Sequence, residues 1–61
     1  GSVLDEIEGI GPVRRKALLE HFKSVERIRQ ASREELEAAP GMNARTAENV
    51  WTYFRIAKPR T

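Results

Sequence analysis

Two short segments of this chain carry residue types that can do chemistry without a reactive side chain. Gly9-Ile10-Gly11-Pro12 and Gly41-Met42-Asn43 each set an apolar residue among turn formers, a pattern in which the backbone can take positive φ or approach another molecule closely. Each segment leads at once into a stretch of helical periodicity. The main-chain N–H groups of Gly11 and Val13, and of Asn43 and Arg45, are therefore expected near the start of a helix, where orphan donors and the dipole favour an anion. Pro12 has no N–H to contribute. Arg14, Arg15, Lys16 and Arg45 follow the two turns. The chemistry implied is capture of an anion, with no bond made or broken.

Other chemistries lack their parts. The chain has no cysteine, which removes disulfides, thiolate nucleophiles and sulfur-ligated metal sites. His21 is its single histidine, so a histidine metal cage and a histidine-dependent triad are incomplete; neither a cofactor nor a metal is expected. At 61 residues the chain holds one small domain, too little to enclose a deep substrate cavity. An enzyme is not expected. Eleven Lys plus Arg against nine Asp plus Glu leave a net charge of +2, and no apolar run approaches the roughly 20 residues that span a bilayer. A soluble, cytosolic domain is the expectation. Gly1-Ser2, with no methionine, is expected to be a cloning scar on a piece of something longer.

The elements that must position the two turns are helical, because strong helix formers dominate and strand alternation is nearly absent. An all-α domain is expected. A first short helix is predicted over about Val3 to Glu8, with Ser2 as N-cap and Gly9 as its stop. Pro12 suits a first helical position, which predicts a helix to about Phe22 with Leu18, Leu19 and Phe22 turned inward. Ser24 then caps a connecting helix from about Val25 to Gln30, where Val25 and Ile28 share a face. Ser32 and Glu35 form a capping box before a helix from about Arg33 to Ala39. The last helix is predicted from just after Asn43 to about Ala57, with Ala47, Val50, Trp51, Phe54 and Ala57 on one face. Pro59 closes it, and residues 58–61 are a basic tail.

Sliding the chain on itself by 32 places superimposes Leu4 on Leu36, Ile7 on Ala39, Gly9 on Gly41, Ile10 on Met42, Leu18 on Val50, Leu19 on Trp51 and Phe22 on Phe54. The halves are one unit used twice, shared in packing pattern more than in letters. Each unit is two helices joined by a tight hairpin, with Ile10 or Met42 plugged into the core. The first unit covers about residues 3–23, the connecting helix about 24–31 and the second unit about 32–57.

These residues resemble the helix-hairpin-helix motif, and the tandem with a connecting helix resembles the (HhH)2 domain, two units related by pseudo-twofold symmetry. The stretch from Leu4 to Leu19, the Ser24-to-Ser32 connection and Pro40-Gly41-Met42 are similar to the C-terminal domain of the nucleotide excision repair nuclease UvrC. The resemblance spans about Val3 to Ile56. It implies a non-catalytic module, part of a larger nuclease, that binds DNA without reading sequence, on duplex or on junctions between double and single strands, in the bacterial cytosol or nucleoid. Carried over by position, the implied DNA contacts are Gly9, Ile10, Gly11, Val13, Arg14 and Arg15 from the first hairpin, and Gly41, Met42, Asn43, Arg45 and Thr46 from the second. Asn43 replaces the family's frequent second glycine, where it either takes the left-handed conformation or serves as a cap. Val13 stands where a lysine is common. Arg15 stands where alanine is frequent, matched by Ala47, which implies wider-spaced helices or an outward-turned guanidinium.

Charge placement points to the same surface. Asp5, Glu6, Glu8, Glu34, Glu35 and Glu37 precede the hairpins and the bases follow them, so acids are expected on one side and bases on another. Lys23, Arg27, Arg29 and Arg33 are expected to pair with Glu20, Glu26, Glu34 or Glu37 on the surface, the alternative for Arg27 or Arg29 being to extend a DNA track. His21 and Tyr53, matched in the repeat, suit a core edge; Trp51 and Phe54 belong to the core rather than to a base-stacking surface. The alternative to DNA binding is a helical protein-interaction or dimerisation module, which needs a sizeable exposed apolar patch. A monomer is expected, with a homodimer as the alternative.

Overall fold

A three-residue spacing governs the start of the chain. Leu4 and Ile7 must both face the core, and a 3₁₀ turn, with about three residues per turn, aligns them. In the computed structural model, which describes residues 3–56, Val3–Glu6 is a 3₁₀ helix rather than the longer helix to Glu8 predicted from sequence. Ile7 N–H donates to the Leu4 carbonyl at 3.2 Å and Ile10 N–H to the Ile7 carbonyl at 3.1 Å, so the same short step carries the chain through Gly9. Ser2, Ala57, Pro59 and the tail, to which the sequence assigned a cap, a helix end, a stop and basic charge, lie outside the described residues.

Four α-helices follow: α1 Pro12–Phe22, α2 Val25–Gln30, α3 Arg33–Ala38 and α4 Ala44–Ile56. Their caps are local chemistry. Ser24 Oγ accepts from Arg27 N–H at 3.2 Å at the start of α2. The predicted capping box opens α3, with Ser32 N–H donating to Glu35 Oε1 at 2.9 Å and Glu35 N–H to Ser32 Oγ at 3.1 Å. At the end of α1 Lys23 takes φ of 81° and its N–H donates to the Leu19 carbonyl at 2.8 Å, a left-handed C-terminal cap in the place where glycine is usual.

The core lies between the two halves. Leu4, Leu18, Ile28, Leu36, Ala47 and Val50 are fully buried, joined by Ile7, Ile10, Ala31 and Ala39. Positions 4 and 36, 7 and 39, and 18 and 50 are all among them, so the 32-residue repeat is a repeat of burial. Leu19, Phe22, Met42, Trp51, Tyr53 and Phe54 pack against this core but stay half-buried. Trp51 and Phe54 thus serve the core from its rim, and His21 is exposed, its ring edge-on to Phe22 at 4.8 Å between centroids. The Cα radius of gyration is 10.3 Å. Among the described residues no helix is long and apolar enough to cross a membrane.

Candidate nucleic-acid interface

Positive φ is needed only once in each hairpin. Gly9 has φ of 88° and Gly41 of 79°, and these residues turn the chain. Gly11 is different: at φ of −94° and ψ of −170° it is extended, a conformation open to any residue. A β-carbon there meets nothing within 4 Å, so nothing in the chain itself requires a glycine at position 11. Pro12 begins α1 with no side chain capping it. The N–H groups of Gly11, Val13 and Arg14 consequently have no acceptor among the described residues, as the first turn of an uncapped helix dictates. Ile10 is buried as expected, and Val13 stands 83% exposed.

The second hairpin closes itself. Asn43 does not take the left-handed conformation; it caps α4. Its Oδ1 accepts from Thr46 N–H at 2.9 Å while Thr46 Oγ1 accepts from Asn43 N–H at 3.0 Å, the reciprocal pairing of a capping box. The Asn43 N–H, expected as a free donor, is therefore committed within the chain. Arg45 N–H has no acceptor among the described residues, and the Arg45 side chain is exposed with no partner there. Thr46 is buried, 5% exposed, its hydroxyl held by Asn43. Met42 is half-buried where Ile10 is buried.

Arg14 joins the two turns. Its Nε donates to the Gly41 carbonyl at 2.8 Å and its Nη1 to the Gly9 carbonyl at 3.2 Å. Beside it lies an open groove of about 370 Å³ lined by Gly11, Pro12, Val13, Arg14, Ala17 and Gly41, to which both hairpins contribute. Arg15 turns the other way. Its Nη1 meets the two Asp5 carboxylate oxygens at 2.9 and 3.0 Å, so the guanidinium is turned out from the core, 35% exposed, rather than wedging the helices apart. This pair also corrects the expected separation of acids from bases: the 3₁₀ turn brings Asp5 back over α1. Of the other cations, Arg29 pairs with Glu26 and Arg33 with both Glu37 and Glu48.

The sequence of residues 2–51 matches the family described as the SAM-like helix-hairpin-helix tandem. The chain belongs to this family. The tandem is similar to UvrABC system protein C of Lachnospira eligens, 60% identical over 53 residues, which are 87% of this chain and 9% of the relative. It is 52% identical over 54 residues to the protein of that name from Clostridioides difficile, which are 88% of this chain and 9% of the other. The corresponding protein of Methanothermobacter thermautotrophicus is 53% identical over 53 residues, 87% and 9% of the two chains. The chain thus spans about 9% of the length of the curated relatives it matches. No solved structure matches it.

Three ties across the tandem were not visible as such in the sequence. Asn49 Nδ2 donates to the Glu8 carbonyl at 2.9 Å, the Tyr53 hydroxyl donates to Glu6 Oε1 at 2.9 Å, and Arg14 bonds Gly41. Position 49 repeats Ala17 and position 53 repeats His21, so the repeat held no signal for the first two. Hydrogen bonding to the Glu6 carboxylate, helped by partial burial and its charge, holds the Tyr53 phenol above its ordinary pKa, because ionisation would cost the bond and set two negative charges together.

Proposed function

We propose that this domain is a non-sequence-specific DNA-binding module that contacts the phosphate backbone near the minor groove through its two hairpins. In its parent chain it carries a repair nuclease to duplex or to junction and bubble DNA, and is itself non-catalytic. The observation that carries the proposal is that both hairpins line one groove, the first through Gly11, Val13 and Arg14, whose N–H groups are uncapped, and the second through Gly41. Open main-chain donors in the first hairpin, with the exposed Arg45 of the second, suit a ligand that repeats its anions, as a nucleic acid backbone does. The similarity to the UvrABC relatives supports the repair context.

The hairpin residues then divide by role. Gly11 and Val13 offer main-chain donors, and Gly11 lets the backbone come close. Arg45 offers an exposed charge and an N–H. Gly9 and Gly41 turn the chain, Ile10 and Met42 anchor the turns from below, and Asn43 with Thr46 sets the start of α4. Arg15, paired with Asp5, borders the contact. Among the described residues the exposed large hydrophobics are Val3, Val13 and Ile56, which gives a dimerisation face little to work with.

The test is a titration with duplex, single-stranded and bubble DNA across salt concentrations. Engagement of about four to six phosphates gives a slope of log affinity on log salt of roughly −4 to −5 on duplex. A slope near zero would remove the proposal.

A further inference from the structure

One planar group is shared between the two turning points of the fold. Arg14 bonds the carbonyl oxygens of Gly41 and Gly9, 27 and five positions away in sequence, and these are the two glycines at positive φ. The turns are otherwise supported unequally. Gly9 packs against Thr46, and the neighbouring Glu8 carbonyl is held by Asn49. At Gly41 a β-carbon would meet nothing within 4 Å, so the second turn has no such cover, and Arg14 is what reaches it from the first unit. A guanidinium can hold two carbonyls at once because its donors form a rigid fork; a lysine ammonium is a point charge on a flexible stem.

We infer that Arg14 is a positioning residue: it fixes the spacing of the two hairpins, so that they engage one nucleic acid backbone as a single bivalent site. The inference rests on the DNA-binding proposal above, because a fixed spacing matters only to a ligand that spans both turns. Two sites held at the separation of their targets bind far more tightly than either alone, and the gain disappears when that separation is free to vary. Arg14 thus acts through the geometry of its neighbours, with two of its donors directed at main-chain carbonyls instead of phosphate.

The experiment is a double-mutant cycle on the full chain, with fluorescently labelled random-sequence duplex as probe and helical circular dichroism recorded at the assay temperature. Arg45→Ala and Gly11→Glu weaken one hairpin each; Arg14→Lys and Arg14→Gln break the fork, the first with charge retained. The expected result is that both Arg14 variants stay folded and lose about tenfold or more in affinity. In the Arg14→Lys background, Arg45→Ala then costs about twofold or less, well below its cost in the unmodified chain, because one hairpin binds at a time. Binding by Arg14→Lys close to that of the unmodified chain would overturn the inference in favour of simple charge, and losses that multiply independently would overturn it in favour of a separate contact. Loss of helical signal in step with affinity would reduce Arg14 to a fold support. If Gly11→Glu and Arg45→Ala change nothing in the unmodified chain, the DNA-binding proposal itself has failed, whatever Arg14 does.

Discussion

The Cγ2 methyl of Thr46 lies 3.3 Å from the point a β-carbon on Gly9 would occupy. Positions 14 and 46 are repeat equivalents, as are 9 and 41, so each glycine turn is met by the same position of the opposite unit: Gly9 by the Thr46 methyl, Gly41 by the Arg14 guanidinium. The exchange is the contact pattern of two units facing each other about an approximate twofold. It makes the two glycines unequal in what they tolerate. Gly9→Ala adds crowding to the strain of φ at 88°, and Thr46 cannot swing aside without giving up its bonds to Asn43. We expect Gly9→Ala to cost roughly 2–4 kcal/mol and Gly41→Ala about 1 kcal/mol, read from chemical denaturation of both variants. Equal costs would contradict this arrangement.

Asn43 gives a second expectation. Removing its Oδ1 strands the Thr46 N–H, so Asn43→Ala should destabilise the domain by about 1 kcal/mol, and Asn43→Gly by only a few tenths. Urea midpoints of the two variants, compared at equal m-value, check the order.

Lys23 offers a gain. A residue with a β-carbon at φ of 81° is strained, and the side chain of Lys23 is exposed with no partner among the described residues. Lys23→Gly should therefore stabilise the domain by about 1 kcal/mol, while Lys23→Ala, which keeps the β-carbon, should not. For a domain of this size a gain of that order raises the melting temperature by roughly 4–8 °C.

Tyr53 is the chain's single tyrosine, so tyrosinate absorbance reports on it alone. Its pKa is raised, chiefly by the bond to Glu6. The folded state thus favours the protonated phenol: the contribution is fully present below the unfolded value near 10.0 and is lost as pH rises through the higher folded value. Absorbance against pH should show a midpoint above that of the denatured chain, and Glu6→Gln should lower it. An unchanged midpoint in Glu6→Gln would show that Glu6 is not the cause.

For the proposed interface, Gly11→Glu should lower duplex affinity by about tenfold or more, since it puts negative charge where the open N–H groups face solvent. Arg29→Ala should change affinity by about twofold or less, because Arg29 is spent on Glu26. The contrast is meaningful because a β-carbon at Gly11 touches nothing in the chain, so lost affinity would not reflect lost folding. Anisotropy titrations at matched low salt measure both.

Much of this molecule is legible one turn at a time. The capping box of Ser32 and Glu35, the Ser24 cap, Pro12 at the head of α1 and the glycine turns at 9 and 41 each depend on residues within about four positions of one another, and the sequence alone determined them. The 32-residue repeat also disclosed part of the core: positions 4 and 36, 7 and 39, and 18 and 50 are buried, while 19 and 51, and 22 and 54, stay half-buried at its rim. The 3₁₀ start and the role of Asn43 lay at the edge of that range. Helix against 3₁₀ over so few residues is decided by what Leu4 and Ile7 must pack on, and free donor against cap by whether Thr46 can return the bond.

The partners of Arg14, Arg15, Asn49 and Tyr53 are another matter. They lie 27, 10, 41 and 47 residues away, and an arginine followed by another arginine carries no mark of which will bridge two turns and which will meet an aspartate. The choices of Arg14, Asn49 and Tyr53 belong to the docking of one unit on the other, and that of Arg15 to the 3₁₀ turn that brings Asp5 over α1 within the first unit. Local propensity sets where each hairpin forms; burial of the shared core sets the angle and distance between them, and only at that distance does a guanidinium from the first reach a carbonyl of the second.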